Sequence, residues 1–154
     1  MKFSLQSAPK YIGSVLALLL LAAAPLAHAE GPKDEKDTPL EESMKVIGRS
    51  FKTLKTGMEA PDAAKKDDYL KAAAALKEEA TKAKEFVPKK VEEMPEADKA
   101  AAVEAYKKQM DALIATADKL EPLLKDEKWT DASAVVQELR TEEGKGHKEF
   151  RKKD

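Results

Sequence analysis

The side chains best suited to chemistry in this 154-residue chain are an imidazole near its end and a thioether in its first helical segment. His147 stands in the closing stretch Thr141 to Asp154, TEEGKGHKEFRKKD, and Met44 in LEESMKVIG. A neutral imidazole and a thioether are the pair that holds haem iron in six-coordinate electron-transfer cytochromes, where the soft sulfur favours the reduced metal and raises its potential. Gly144 and Gly146 precede the histidine. Lacking Cβ, they let a flat macrocycle approach a helix; otherwise they are costly there, at ~1 kcal/mol each relative to alanine.

Each of these residues also has an ordinary explanation. A lone histidine is more often a surface residue than a ligand, and a core methionine is usually filler. Glycines near a terminus mark fraying, which would make GKGHKEFRKKD a basic tail. His147 and Glu143 have the i,i+4 spacing of a metal pair, but two ligands are too few for structural zinc. No nucleophile with a base stands out, and no glycine-rich phosphate loop is present. The question is whether the elements of the chain bring His147 and Met44 to one place.

Residues 1–29 read as a secretory leader. Lys2 and Lys10 give a basic start, Val15 to Ala24 is an unbroken apolar run, and Ala27-His28-Ala29 supplies the small-x-small cleavage pattern. The apolar run covers only about half of the roughly 20 residues a helix needs to cross a bilayer. Cleavage after Ala29 removes His28, which leaves His147 as the only histidine, and takes the net charge from −1 to −3. That balance argues against nucleic acid as a partner. The absence of cysteine excludes a disulfide framework, a thiolate metal site and covalent haem attachment through CxxCH.

Residues 30–38 begin with the charged run EGPKDEKD and are expected to form a flexible tail. Thr38-Pro39-Leu40-Glu41 then has the form of a capping box with proline at the first helical position. Leu40, Met44, Ile47, Phe51, Leu54 and Met58 follow as the apolar face of a first helix, closed by Gly57 and Pro61. Asp62 caps a second helix with the stripe Tyr69, Ala73, Leu76, Ala80, Ala83 and Val87. Pro88 and Pro95 bracket a charged connection. A third stripe runs Val103, Tyr106, Met110, Leu113, Ala117, Leu120 and Leu124, with Pro122 kinking or ending its helix. The fourth helix starts near Lys128, and its stripe Trp129, Ala132, Val136 and Leu139 continues into Glu143, Gly146 and Phe150.

Strand signals are missing, so the fold is all-α, and short turns between such helices predict an antiparallel up-down-up-down four-helix bundle over 39–151. The first helix then begins where the fourth finishes. Met44 and His147 each lie about one turn inside those ends, within roughly 10 Å of the same end of the molecule at 1.5 Å rise per residue. Glu143 and Gly146 at successive core positions are expected to leave a space there, which a close-packed interior does not tolerate unfilled.

With these residues located, the chain resembles the cytochrome b562 family over Leu40 to Arg151. The specific parts are Leu40-Glu41-Glu42-Ser43-Met44 at the opening, and Leu139-Arg140-Thr141 followed by His147 and Phe150-Arg151 at the close. The resemblance implies a periplasmic electron-transfer protein, not an enzyme, holding one non-covalent b-type haem between Met44 and His147 as axial ligands. It implies Arg151 near a propionate, and Tyr106 and Met110 where the family sets two phenylalanines against the haem. Glu143 and Gly146 stand where the family can carry a basic and an aromatic residue, so Gly146 would lie against the macrocycle. The partners implied are haem and a periplasmic redox protein, with no membrane anchor after cleavage. The alternative is a haem-free helical bundle serving as a periplasmic binding or stress-response module.

Overall fold

The computed structural model describes residues 37–152, and within them all regular structure is helical. The expected leader and most of the expected tail lie outside the described residues. Helix α1 spans Pro39–Glu59, and a 3-10 turn at Ala63–Lys65 leads into α2, Lys66–Ala83. The short α3, Lys89–Glu92, precedes α4, Glu96–Asp118. Helix α5, Leu120–Lys125, connects to α6, Trp129–Phe150. Helix α1 packs on α2, α2 on α4, α4 on α6, and α6 returns to α1, so the four long helices form a closed ring of neighbours around one core.

The start of α1 is built as its sequence requires. Thr38 Oγ1 accepts the Glu41 N–H at 3.2 Å, Glu41 Oε2 accepts the Thr38 N–H at 2.7 Å, and Pro39 occupies a position where no N–H is needed. Asp62 likewise caps the turn before α2, accepting the Ala64 N–H at 2.9 Å. Along α1, Ile47, Leu54 and Met58 are buried, whereas Leu40, Met44 and Phe51 are half-buried against the core. The remaining buried positions are Ser43, Ser50 and Gly57, spaced by seven. They form a ridge of small residues opposite α2, whose own buried positions include Ala72, Ala73, Ala80 and Ala83.

Contacts between neighbouring helices run in descending register. Ser43 donates to Glu79 at 2.8 Å, and Gly57 at the far end of α1 lies against Tyr69 near the start of α2. Tyr106 reaches Ala83, whereas Lys77 pairs with Asp118. Gln109 reaches Glu142, whereas Lys119 pairs with Glu138 at 2.7 Å.

Several elements differ from the expectation. Gly57 does not end α1, which continues to Glu59; its role is to admit the Tyr69 ring. Val87 is not part of the α2 stripe: the helix closes at Ala83 and Val87 is exposed, because the following Pro88 drives the residue before it away from helical geometry. Its place in the core is taken by Val91 of α3, which is fully buried. Pro122 does end α4, at Asp118, since it has no N–H to offer the Asp118 carbonyl. Helix α6 continues through Gly144 and Gly146 to Phe150, so the glycines do not mark a frayed tail.

Candidate functional site

Short α3 is tied to the finish of α6. The Lys90 ammonium donates to the Glu149 carbonyl at 2.5 Å and, more weakly, to the Lys148 carbonyl at 3.4 Å, both at the finish of α6. Lys152 pairs with Glu93 at 2.5 Å. The start of α1 is reached through its neighbours: Ser43 bonds Glu79 near the end of α2, Tyr106 of α4 bonds Ala83 at that same end, and Gln109 bonds Glu142 on α6. Met44, about one turn inside α1, and His147, about one turn inside α6, therefore lie at the same end of the molecule.

Helical geometry assigns their flanks. Ser43 faces α2 through Glu79, and Met44 is turned from it by about 100° toward the side of α1 that adjoins α6. On α6, Gln109 of α4 marks the opposite flank. Its Nε2 donates to the Glu142 carbonyl and to Glu142 Oε2, each at 3.0 Å, and its Cγ lies 3.6 Å from where a Cβ on Gly146 would stand. His147 is turned by about 100° from Gly146 around the helix, and its side chain is exposed.

An imidazole and a thioether are the donor chemistry that the sequence expectation assigns to a haem iron. The His147 side chain is exposed, and among the described residues its imidazole makes no hydrogen bond; Met44 is half-buried. One turn along from Met44, a Cβ on Gly48 would meet nothing within 4 Å. Among the described residues no group of three or more histidine or acidic side chains is placed to hold a bare metal ion, which leaves the His147 and Glu143 pair without the further ligands zinc requires.

The walls expected around the macrocycle have protein partners of their own. Tyr106 is only 2% exposed; its hydroxyl donates to the Ala83 carbonyl at 2.9 Å, and its ring meets Phe150 edge-on with centroids 5.4 Å apart. Met110 is buried as well. Gly146 is half-buried, and Gln109 of α4 lies beside it, with its Cγ 3.6 Å from where a Cβ would stand. Glu142, not Glu143, is the acid engaged there; its carboxyl is lowered by Lys145 and then by Gln109. Arg151 is exposed just past the helix, its N–H donating to the His147 carbonyl at 3.2 Å. Among the described residues no buried side-chain nitrogen or oxygen lacks a partner. Two surface grooves, of about 310 and 380 Å³, lie elsewhere. One runs between α2, α4 and α5; the other is lined by Pro39, Glu42, Ser43, Val46, Glu79, Lys82 and Phe86.

Burial pushes the Tyr106 phenol up to about 12. The folded state thus holds this proton more tightly than the unfolded chain, whose phenol ionises near pH 10. The associated stabilisation is complete below about pH 10 and is lost as pH rises toward about 12, on the order of 2 kcal/mol. Urea unfolding at stepped alkaline pH should show this loss, and Tyr106→Phe should flatten that part of the profile. An unchanged profile in the variant would assign the alkaline loss to other groups.

The cytochrome b562 model matches residues 39–151. The chain belongs to the cytochrome b562 family. No curated protein matches it. The family implies haem binding and electron carriage, not catalysis, and it is periplasmic. Among the described residues no helix is long and apolar enough to cross a membrane. Against this cytochrome b562 background, Lys90, Val91 and Gln109 are structural contributors that the sequence reading did not single out. Val91 carried one signal, as a lone aliphatic residue in the charged run between Pro88 and Pro95. Gln109 carried none, being a polar residue between two stripe positions.

Proposed function

We propose that this chain is a periplasmic electron carrier that holds one b-type haem non-covalently, with His147 and Met44 as axial ligands, in an antiparallel up-down-up-down four-helix bundle. The descending register of contacts between neighbouring helices supports that topology. What supports the ligand reading is that Met44 lies about one turn inside the start of α1 and His147 about one turn inside the finish of α6, two helices that pack on each other. Bound there, the haem supplies a one-electron couple. Met44 would offer the iron a soft sulfur that favours its reduced form, and His147 would offer it an imidazole nitrogen. With both residues engaged, the group would have no site left for a substrate, consistent with a carrier and not an enzyme. Arg151 is one turn beyond His147 and free to meet a propionate; Gly146 admits the macrocycle to the helix surface; Tyr106 and Met110 form the apolar floor behind it. Residues 1–29 act as the export signal, and a periplasmic redox protein is the exchange partner.

The test is an absorption titration of the purified protein with haem, in both oxidation states. A Soret band with sharp low-spin bands on reduction is expected in the wild type. In His147→Ala and Met44→Leu those low-spin features should be lost or shifted. No Soret band, or spectra unchanged in both variants, would overturn the reading. One observation favours a haem-free binding or stress-response module instead: the core at this end is complete without a cofactor, Tyr106, Met110 and Phe150 all being buried by protein. That reading expects a thermal midpoint unmoved by haem, whereas a tight ligand raises it by mass action.

A further inference from the structure

We infer that Lys90 is a positioning residue for His147: from α3 it clamps the last turn of α6 and so fixes where the imidazole stands. This rests on the reading of His147 as an axial ligand. The last turn of α6 has reason to be loose. Gly144 and Gly146 weaken the helix just before it, and a helix leaves its final carbonyls without internal partners. Yet α6 continues unbroken to Phe150. Its terminal carbonyls are satisfied by two routes. The His147 carbonyl accepts the Arg151 N–H at 3.2 Å, a local bond any helix end can make. The Glu149 and Lys148 carbonyls accept the Lys90 ammonium, which comes from a residue 58 or 59 positions away.

Lys90 itself is not free to wander. Its neighbour Val91 is fully buried and Pro88 is buried, so α3 is pinned to the core on either side of it. The contact is also electrostatically favourable, because a cation beside the carbonyl end of a helix opposes its dipole. A second tie, Lys152 to Glu93, crosses the same junction. The result is a strap in which α3 and the residue that caps it tie down the end of α6 at two points just beyond the imidazole, while the imidazole makes no hydrogen bond of its own among the described residues. Its direction is then set by the helix turn and not by a side-chain partner, and Lys90 holds that turn.

The experiment compares wild type, Lys90→Met and Lys90→Arg as full mature chains. Amide hydrogen exchange is measured on the haem-free proteins, followed by haem titration. In Lys90→Met the amides from Lys148 to Arg151 should exchange about tenfold faster, the loss of roughly one charge-assisted hydrogen bond, while those of Val135, Val136 and Leu139 stay unchanged. Haem affinity should fall by about tenfold with the same final spectrum, and Lys90→Arg should restore both. Unchanged exchange in the last turn overturns the inference. So does a rise spread evenly along α6, which would mean general destabilisation, and so does a loosened turn with unaltered haem affinity. If wild-type protein gives no His147-dependent haem spectrum, the ligand reading fails and the positioning role falls with it; the exchange data would still report whether Lys90 clamps the turn.

Discussion

Replacing Phe150 by alanine is expected to lower the unfolding free energy by about 3 kcal/mol, the lower end of what large aromatic truncations cost in a core. Phe150 is the final residue of α6 and only 7% exposed. Its ring meets Tyr106 edge-on at 5.4 Å and 75°, an aromatic geometry that contributes beyond simple area burial. Removing it opens a cavity against a tyrosine whose hydroxyl is already committed to the Ala83 carbonyl, so Tyr106 cannot swing out to fill the gap without leaving that acceptor unpaired. Relaxation is easier at a helix end than in its middle, which keeps the cost from the upper end of the range. Urea unfolding of the haem-free protein measures it directly. A loss below about 1 kcal/mol would mean that the ring is not holding the end of the bundle closed. Because Phe150 lies one turn beyond Gly146 and three residues beyond His147, the same variant should bind haem more weakly.

How far this end of the bundle was legible in the sequence depends on what each residue signals. The caps were readable: Thr38, Pro39, Glu41 and Asp62 act through their nearest neighbours, and local chemistry is what a sequence displays. The apolar stripes were readable where side chains are large, at Ile47, Leu54, Leu76, Leu113 and Leu139. The α2-facing side of α1 was not, because Ser43, Ser50 and Gly57 look like surface or breaker residues until the alanines of α2 are set opposite them. At the candidate site, the family resemblance and the helix ends are what point to Met44 and His147. The space expected at Glu143 and Gly146 took no account of Gln109, since a pattern along one helix cannot show that a side chain arrives beside Gly146 from another. Long-range polar ties such as Lys90 to Glu149 leave no trace in periodicity at all.

Glycines make that limit testable, because two in the same helix should respond to alanine with opposite signs. A Cβ on Gly57 would stand 2.4 Å from Tyr69 Cε1 and 2.9 Å from two more atoms of its ring. The ring is a rigid plate, 3% exposed and set edge-on against Trp129 with centroids 6.2 Å apart. It cannot yield as the tip of a lysine could, so either α1 and α2 move apart or the tyrosine leaves its place. Overpacking of this kind costs roughly 1–3 kcal/mol, more than the ~1 kcal/mol that alanine gains over glycine in a helix. Gly57→Ala should therefore destabilise by about 1 kcal/mol net of propensity. At Gly48, nine residues earlier on α1, the added Cβ meets nothing within 4 Å, and only the propensity gain remains. Gly48→Ala should stabilise the haem-free protein by about 0.5–1 kcal/mol. Its methyl would also stand one turn along from Met44, so the same variant should bind haem no better, and less well if the macrocycle lies against that side of α1. Thermal and urea midpoints of the two variants, read side by side, decide the matter: equal shifts in one direction would show that helix propensity, and not the Tyr69 contact, governs both positions.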